Sequence, residues 1–200
     1  MLVANRPQKG DKITVEPIRK QKDVEAIKAI LQKKPRDYLL FIIGINNGLR
    51  AGDLLKLKVK DVKGKKVGAS IQIKEGKTGK TGKTNVLVIN RVVHKAIQNY
   101  IKEQTPDNDD YLFKSRKGRN SPITIQAVNN YIKKWCRMIN LKGNYGAHTL
   151  RKTWGYHARM YHGAGFELIC RRFNHRDPSV TMRYLGIEDE EIYGLLMCEV

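Results

Sequence analysis

Apolar residues recur at three- and four-residue spacing through most of this chain, which is the period of helices that bury one face. The pattern is absent from residues 1–22, which are polar and basic and read as a tail or linker. From there Asp23 is placed to cap "VEAIKAILQKK", and after Pro35 the stretch "RDYLLFIIGINNG" is apolar enough for a core helix that stops at Asn47-Gly48. In "LRAGDLLKLKVKDV" Asp53 opens a short amphipathic turn, and Val59 and Val62 mark an approach to strands. Residues 65–73 ("KKVGASIQI") and 85–89 ("NVLVI") are rich in Val and Ile at strand length, joined as a long hairpin. Helical spacing then returns in "RVVHKAIQNYIKEQ", "TIQAVNNYIKKWCRMINL", "AHTLRKTWGYHARMYHG", "FELICRRFNH" and "SVTMRYLG". The expectation is a mainly α protein with one small antiparallel β-hairpin, an α+β fold. Its domain covers 23–187, and 188–200 form a separate acidic tail.

Charge narrows the choice of partner. Thirty-nine Lys and Arg against nineteen Asp and Glu leave a net +20, far beyond what solubility needs, so a polyanion is the expected partner. Residues 188–200 ("EDEEIYGLLMCEV") run the other way, with five acids and no Lys or Arg. The longest apolar run, "YLLFIIGI" at 38–45, is too short to cross a bilayer, and the first ten residues contain no apolar leader core. No membrane partner and a cytoplasmic location are expected. Cys136, Cys170 and Cys198 are odd in number and widely spaced, which excludes a disulfide framework and a zinc ribbon.

The segment "KEGKTGKTGKTNVLVIN" (74–90) repeats Lys-Thr three times on a Gly-rich loop. A phosphate-cradling P-loop needs glycine five residues before Gly82-Lys83-Thr84, and that position is Lys77; the loop also runs into a Val/Ile strand instead of a helix. Lysines facing DNA and a solvated hairpin tip both remain open for this segment.

Four further segments carry chemistry-capable residues: "NNGLRAGDLL" with Arg50, "HTLRKTWG" with His148 and Arg151, "FNH" with His175, and "VTMRYLGI" with Tyr184. His148 and Arg151, three apart, fall on one helix face and can grip one small anion. Each residue alone has an ordinary structural explanation. In this order and at these intervals, however, they resemble the signature of the tyrosine recombinase (phage integrase) family, over roughly residues 20–190. That signature has an Arg after "GLR" with an acid three residues later (Arg50, Asp53), a β-hairpin Lys, a His-x-x-Arg (His148, Arg151), a following His (His175) and a Tyr nine residues beyond it (Tyr184). The hairpin lysine falls on Lys80, with Lys77 and Lys83 one repeat away. "FNH" stands where "LGH" is commoner, and Val88 where proline is usual.

The resemblance implies a catalytic-domain fold shared with type IB topoisomerases, and cleavage and rejoining of duplex DNA through a covalent 3′-phosphotyrosyl intermediate. It implies that Arg50 and Arg151 hold the nonbridging oxygens, that Tyr184 is the nucleophile with His148 as its proton acceptor or orienter, and that His175 donates to the phosphate. Lys80 would protonate the leaving 5′-oxygen, and Asp53 would hold Arg50. It implies no metal or other cofactor. Lys56, Lys58, Lys60, Lys77, Lys83, Lys133, Lys134, Arg171 and Arg172 are expected to meet backbone phosphates, giving affinity and salt dependence with little sequence information. A tetramer on DNA and a monomer in free solution are expected, with the apolar stripe Ile192, Leu195 and Leu196 of the tail meeting a neighbouring subunit or folding back in cis. The family's N-terminal DNA-clamping domain has no counterpart in residues 1–22, so the expectation is either an isolated catalytic domain or a likeness to the small fimbrial phase-switch recombinases. A topoisomerase-like nicking enzyme and a noncatalytic DNA-binding protein are the competing readings; only the second would form no DNA adduct.

Overall fold

A computed structural model describes residues 14–74, 84–185 and 196–198. The central element is α2 (Pro35–Asn47), preceded by α1 (Gln21–Leu31). Proline at the first turn of α2 gives up an N–H that had no helical partner, and Gly48, at φ 59°, closes the helix in the left-handed region. Leu39 to Gly44 are all buried, so α2 is apolar on every side and sits in the middle of the core. Against it pack α5 (Arg91–Gln104), capped by the Asn90 side chain accepting from Val93 N–H at 2.9 Å, and α7 (Thr149–His162). The approach of α2 to α7 is close: a Cβ on Gly44 would lie 2.5 Å from Leu150 Cδ1.

Two one-turn helices, α3 (Ala51–Leu54) and α4 (Val59–Val62), follow α2. Val59 and Val62, expected to lead into a strand, are instead buried in α4, where the Asp61 carboxylate accepts the Lys58 N–H at 2.8 Å and stabilises the turn. The hairpin is an antiparallel pair, β1 (Ser70–Lys74) and β2 (Thr84–Val88), in register from Ser70 opposite Val88 to Lys74 opposite Thr84. Its inner face buries Ile73, Asn85 and Leu87. α6 (Ile125–Met138), capped by Thr124, returns the chain to the core through Val128, Ile132 and Trp135. Beyond α7, α8 (Phe166–Phe173) and α9 (Pro178–Leu185) build a second small apolar cluster from Ile169, Phe173 and Leu185, with Trp154 and Tyr184 against it.

Two expectations need adjusting. Asp23 does not cap α1: the helix begins at Gln21 after an extended Lys20, and Asp23 lies in its first turn, where its charge favours the helix N-terminus. Residues 14–20 are not a free linker. Ile18 is buried, its N–H donates to Thr153 Oγ1 at 2.9 Å, its carbonyl accepts from His157 Nε2 at 2.8 Å, and Tyr161 donates to the Arg19 carbonyl. This strap therefore runs along α7. No helix among the described residues is long and apolar enough to cross a membrane.

Candidate active site

The site forms where the end of α2, the start of α7 and the α8–α9 pair meet. Gly48 turns the chain sharply out of α2 and places Arg50, half-buried, at the N-terminus of α3. The turn leaves no room for a side chain: a Cβ on Gly48 would sit 2.5 Å from Trp154 Cε3. One turn beyond Arg50, Asp53 is buried and accepts from Lys56 Nζ at 3.1 Å, while the same ammonium donates to the Lys74 carbonyl at 3.0 Å. Lys56 thus ties α3 to the end of β1.

Arg151 is the largest fully buried side chain, at 2% exposure. Its Nη1 donates to the Gly48 carbonyl at 2.8 Å and its Nη2 to the Phe173 carbonyl at 2.6 Å, and its plane lies 4.2 Å from the centroid of the Phe173 ring. A buried guanidinium is tolerable only with such partners, and these fix its orientation before any ligand arrives. His148, expected on the helix beside Arg151, is the residue just before α7 and is exposed. Its ring faces Tyr184, with Nδ1 3.3 Å from the phenol oxygen.

Tyr184 stands in the last turn of α9, its ring edge-on to Phe173 at 5.4 Å and to His175 at 5.2 Å. Burial pushes its phenol above the ordinary value, while the charges of Arg151 and Arg50 and a hydrogen bond from Arg151 pull it back. His175 has its Nδ1 2.9 Å from the Thr181 hydroxyl, which is fully buried on α9. Burial and the nearby Arg151 and Arg50 charges push the His175 imidazole down to about 4, with Asp177 opposing, so the ring is neutral at pH 7. Arg50, His148, Arg151, His175 and Tyr184 accordingly gather at one site, with two guanidiniums and two imidazoles around one phenol.

The expected phosphate contacts divide. Lys133, Lys134 and Arg171 are exposed; Lys58 is half-buried with its ammonium over the Tyr111 ring; Lys60 pairs with Asp109 at 2.7 Å. Arg172 is turned inward. Its Nε and Nη2 donate to the Asn47 carbonyl, Nη1 to Asn85 Oδ1 at 2.6 Å and Nη2 to the Val86 carbonyl at 2.6 Å. It corrects the expectation of a phosphate contact: its hydrogen bonds are used to lock α8 to α2 and to β2. Lys77, Lys80 and Lys83 lie outside the described residues, as does most of the acidic tail; within 196–198, Leu196 is exposed. Among the described residues no cluster of three or more His, Cys, Asp or Glu is arranged to hold a metal ion.

Sequence reasoning passed over Lys152 and Thr181. Lys152 is buried, with its Nζ 4.7 Å from the centroid of the Tyr184 ring. The signal was present, because a residue four positions after His148 shares its side of the helix.

Residues 18–191 match the model of the phage integrase family. The chain is 38% identical to the "Probable integrase/recombinase YoeC" of Bacillus subtilis (strain 168), over 88% of this chain and 92% of that one. It is 25% identical to a tyrosine recombinase of Pseudothermotoga lettingae, over 87% of this chain but 57% of the relative, so it spans little more than half of that longer protein. Its fold is that of the XerA recombinase crystal structure (TM-score 0.72, 19% identity, 92% of this chain and 67% of that one). It is likewise similar to the XerH site-specific recombinase bound to a palindromic difH substrate (TM-score 0.71, 18% identity, 97% and 56%). The chain belongs to the phage integrase family and is a site-specific recombinase of the tyrosine type.

Proposed function

We propose that Tyr184 attacks a phosphodiester of duplex DNA, forming a 3′-phosphotyrosyl bond and releasing a 5′-hydroxyl, which a second strand's 5′-hydroxyl later reverses. The observation that carries this reading is the position of the Tyr184 phenol, 3.3 Å from His148 Nδ1, where burial raises its proton affinity and the charges of Arg151 and Arg50 oppose that rise. A phenol of unperturbed pKa about 10 needs such surroundings to attack near neutrality.

His148 accepts the phenol proton. Arg151 and Arg50 hold the nonbridging oxygens as charge develops on them, an arrangement in which removing one donor costs about 10²–10³ in rate. Arg151 suits this because two of its N–H groups are already committed to carbonyls, which aims the rest. His175, neutral at working pH, takes its Nδ1 contact from Thr181 and offers Nε2–H to the phosphate. Lys80 protonates the leaving 5′-oxygen, and Asp53, buried within α3, braces the Arg50 turn. The net charge of +20 suits a duplex partner, and the XerH neighbour was captured on DNA. Exposed Lys133, Lys134 and Arg171 contact backbone phosphates, and subunits assemble as a tetramer on two duplexes.

The test is to incubate the chain with nicked duplex fragments from the region that encodes it, denature, and look for a DNA-linked band. A band that disappears in Tyr184→Phe is expected. Duplex binding without any band would overturn the reading.

A further inference from the structure

A lysine is almost never fully buried without a charged partner. Lys152 is 5% exposed, makes no ion pair among the described residues, and places its ammonium 4.7 Å from the centroid of the Tyr184 ring. The remaining groups around it are few. Glu16 and Arg19 approach from the strap, Arg19 with its guanidinium 5.2 Å from the Tyr156 ring one turn further along α7, and Tyr184 approaches from α9. The ring of Tyr184 is therefore touched on several sides: Phe173 and His175 meet it edge-on, His148 meets the hydroxyl, and Lys152 covers a face. α9 has only eight residues, of which Thr181 and Leu185 are buried, so the helix alone is a weak anchor for an aromatic ring. Arg151, also on α7, hydrogen-bonds the Tyr184 hydroxyl, and Lys152 adds a contact from the same helix to the ring face.

We infer that Lys152 is a positioning residue for the nucleophile: its ammonium holds the face of the Tyr184 ring against α7 by a cation–π contact, in register with Arg151 and His148. The contact depends on charge and not on the hydroxyl, so it persists when the phenol loses its proton. Burial and the Arg19 charge lower the lysine's proton affinity, with Glu16 opposing, so the hold weakens at a lower pH than for an ordinary lysine. An arginine in its place keeps the charge and the affinity for a ring face.

This inference rests on Tyr184 being the nucleophile, and the test separates the two. In the full-length chain with 3-fluorotyrosine at position 184, the fluorine resonance is expected to shift or broaden in Lys152→Met and to return to the wild-type position in Lys152→Arg. On nicked duplex with protein in excess, adduct formation is expected to slow about tenfold or more in Lys152→Met, as misplaced nucleophiles do. Duplex affinity stays unchanged and Lys152→Arg recovers the rate. The ratio of the Lys152→Arg rate to the wild-type rate is expected to rise with pH, because only lysine loses its proton. An unchanged resonance in Lys152→Met would overturn the positioning role even if no adduct were seen with wild type. A Lys152→Arg variant as impaired as Lys152→Met would overturn the dependence on charge.

Discussion

The Thr181 hydroxyl lies 2.9 Å from His175 Nδ1, one turn before Tyr184 on the same short helix. The imidazole and the nucleophile are thus referred to a common element, and a shift of α9 moves both. Thr181→Val keeps the volume but leaves Nδ1 without its partner, at a cost of about 1–3 kcal/mol. Slower adduct formation on nicked duplex and a lower denaturation midpoint are expected for Thr181→Val, and near wild-type values for Thr181→Ser.

The low proton affinity of His175 has a defined sign. Its folded value of about 4 lies below the ordinary 6.5, so the unfolded chain binds more protons between those pH values. The stability connected with this ring is complete above about pH 6.5 and is lost as pH falls toward 4. Burial also lowers His157, in the same direction, so the comparison must be made against a variant. Denaturant melts between pH 4 and 7 are expected to show a shallower loss in His175→Gln than in wild type.

Adjacent arginines on α8 are expected to behave oppositely. Arg172→Ala removes a guanidinium shared by Asn47, Asn85 and Val86, and a loss of roughly 2–4 kcal/mol is expected from denaturant unfolding. Arg171 is exposed, and Arg171→Ala should leave stability within about 0.5 kcal/mol while lowering the salt slope of duplex binding by about one unit.

Gly48→Ala combines a left-handed backbone with a collision against Trp154. The backbone alone costs about 1–2 kcal/mol, and relieving the collision moves the turn that carries Arg50. A lower melting temperature and a loss of adduct formation larger than the loss of duplex affinity are expected.

The helices legible in the sequence were those whose burial is decided within one element. α5 was readable to its ends because Asn90 caps a clean amphipathic repeat, and α2 because Pro35 and Gly48 bracket an apolar run. Val59 and Val62 were misread because two valines three apart fit either a strand approach or one helical turn, and the choice is made by Asp61 reaching back to the Lys58 N–H. The charged residues show the same limit. Arg171 and Arg172 are indistinguishable in sequence, and only the packing of α8 on the hairpin turns one outward and the other inward. Lys152 went unread because a lysine beside a recognised arginine looks like added surface charge until its burial is seen.

The strap formed by residues 14–20 has a consequence for how this molecule tolerates trimming. Ile18 and Arg19 are fastened to Thr153, His157 and Tyr161 at successive turns of α7, and the first of these sits two residues beyond Arg151. The strap works as a splint on the helix that carries the buried arginine. A protease cut after Arg19 removes that splint, so such a product should keep its hydrophobic core yet hold the arginine loosely.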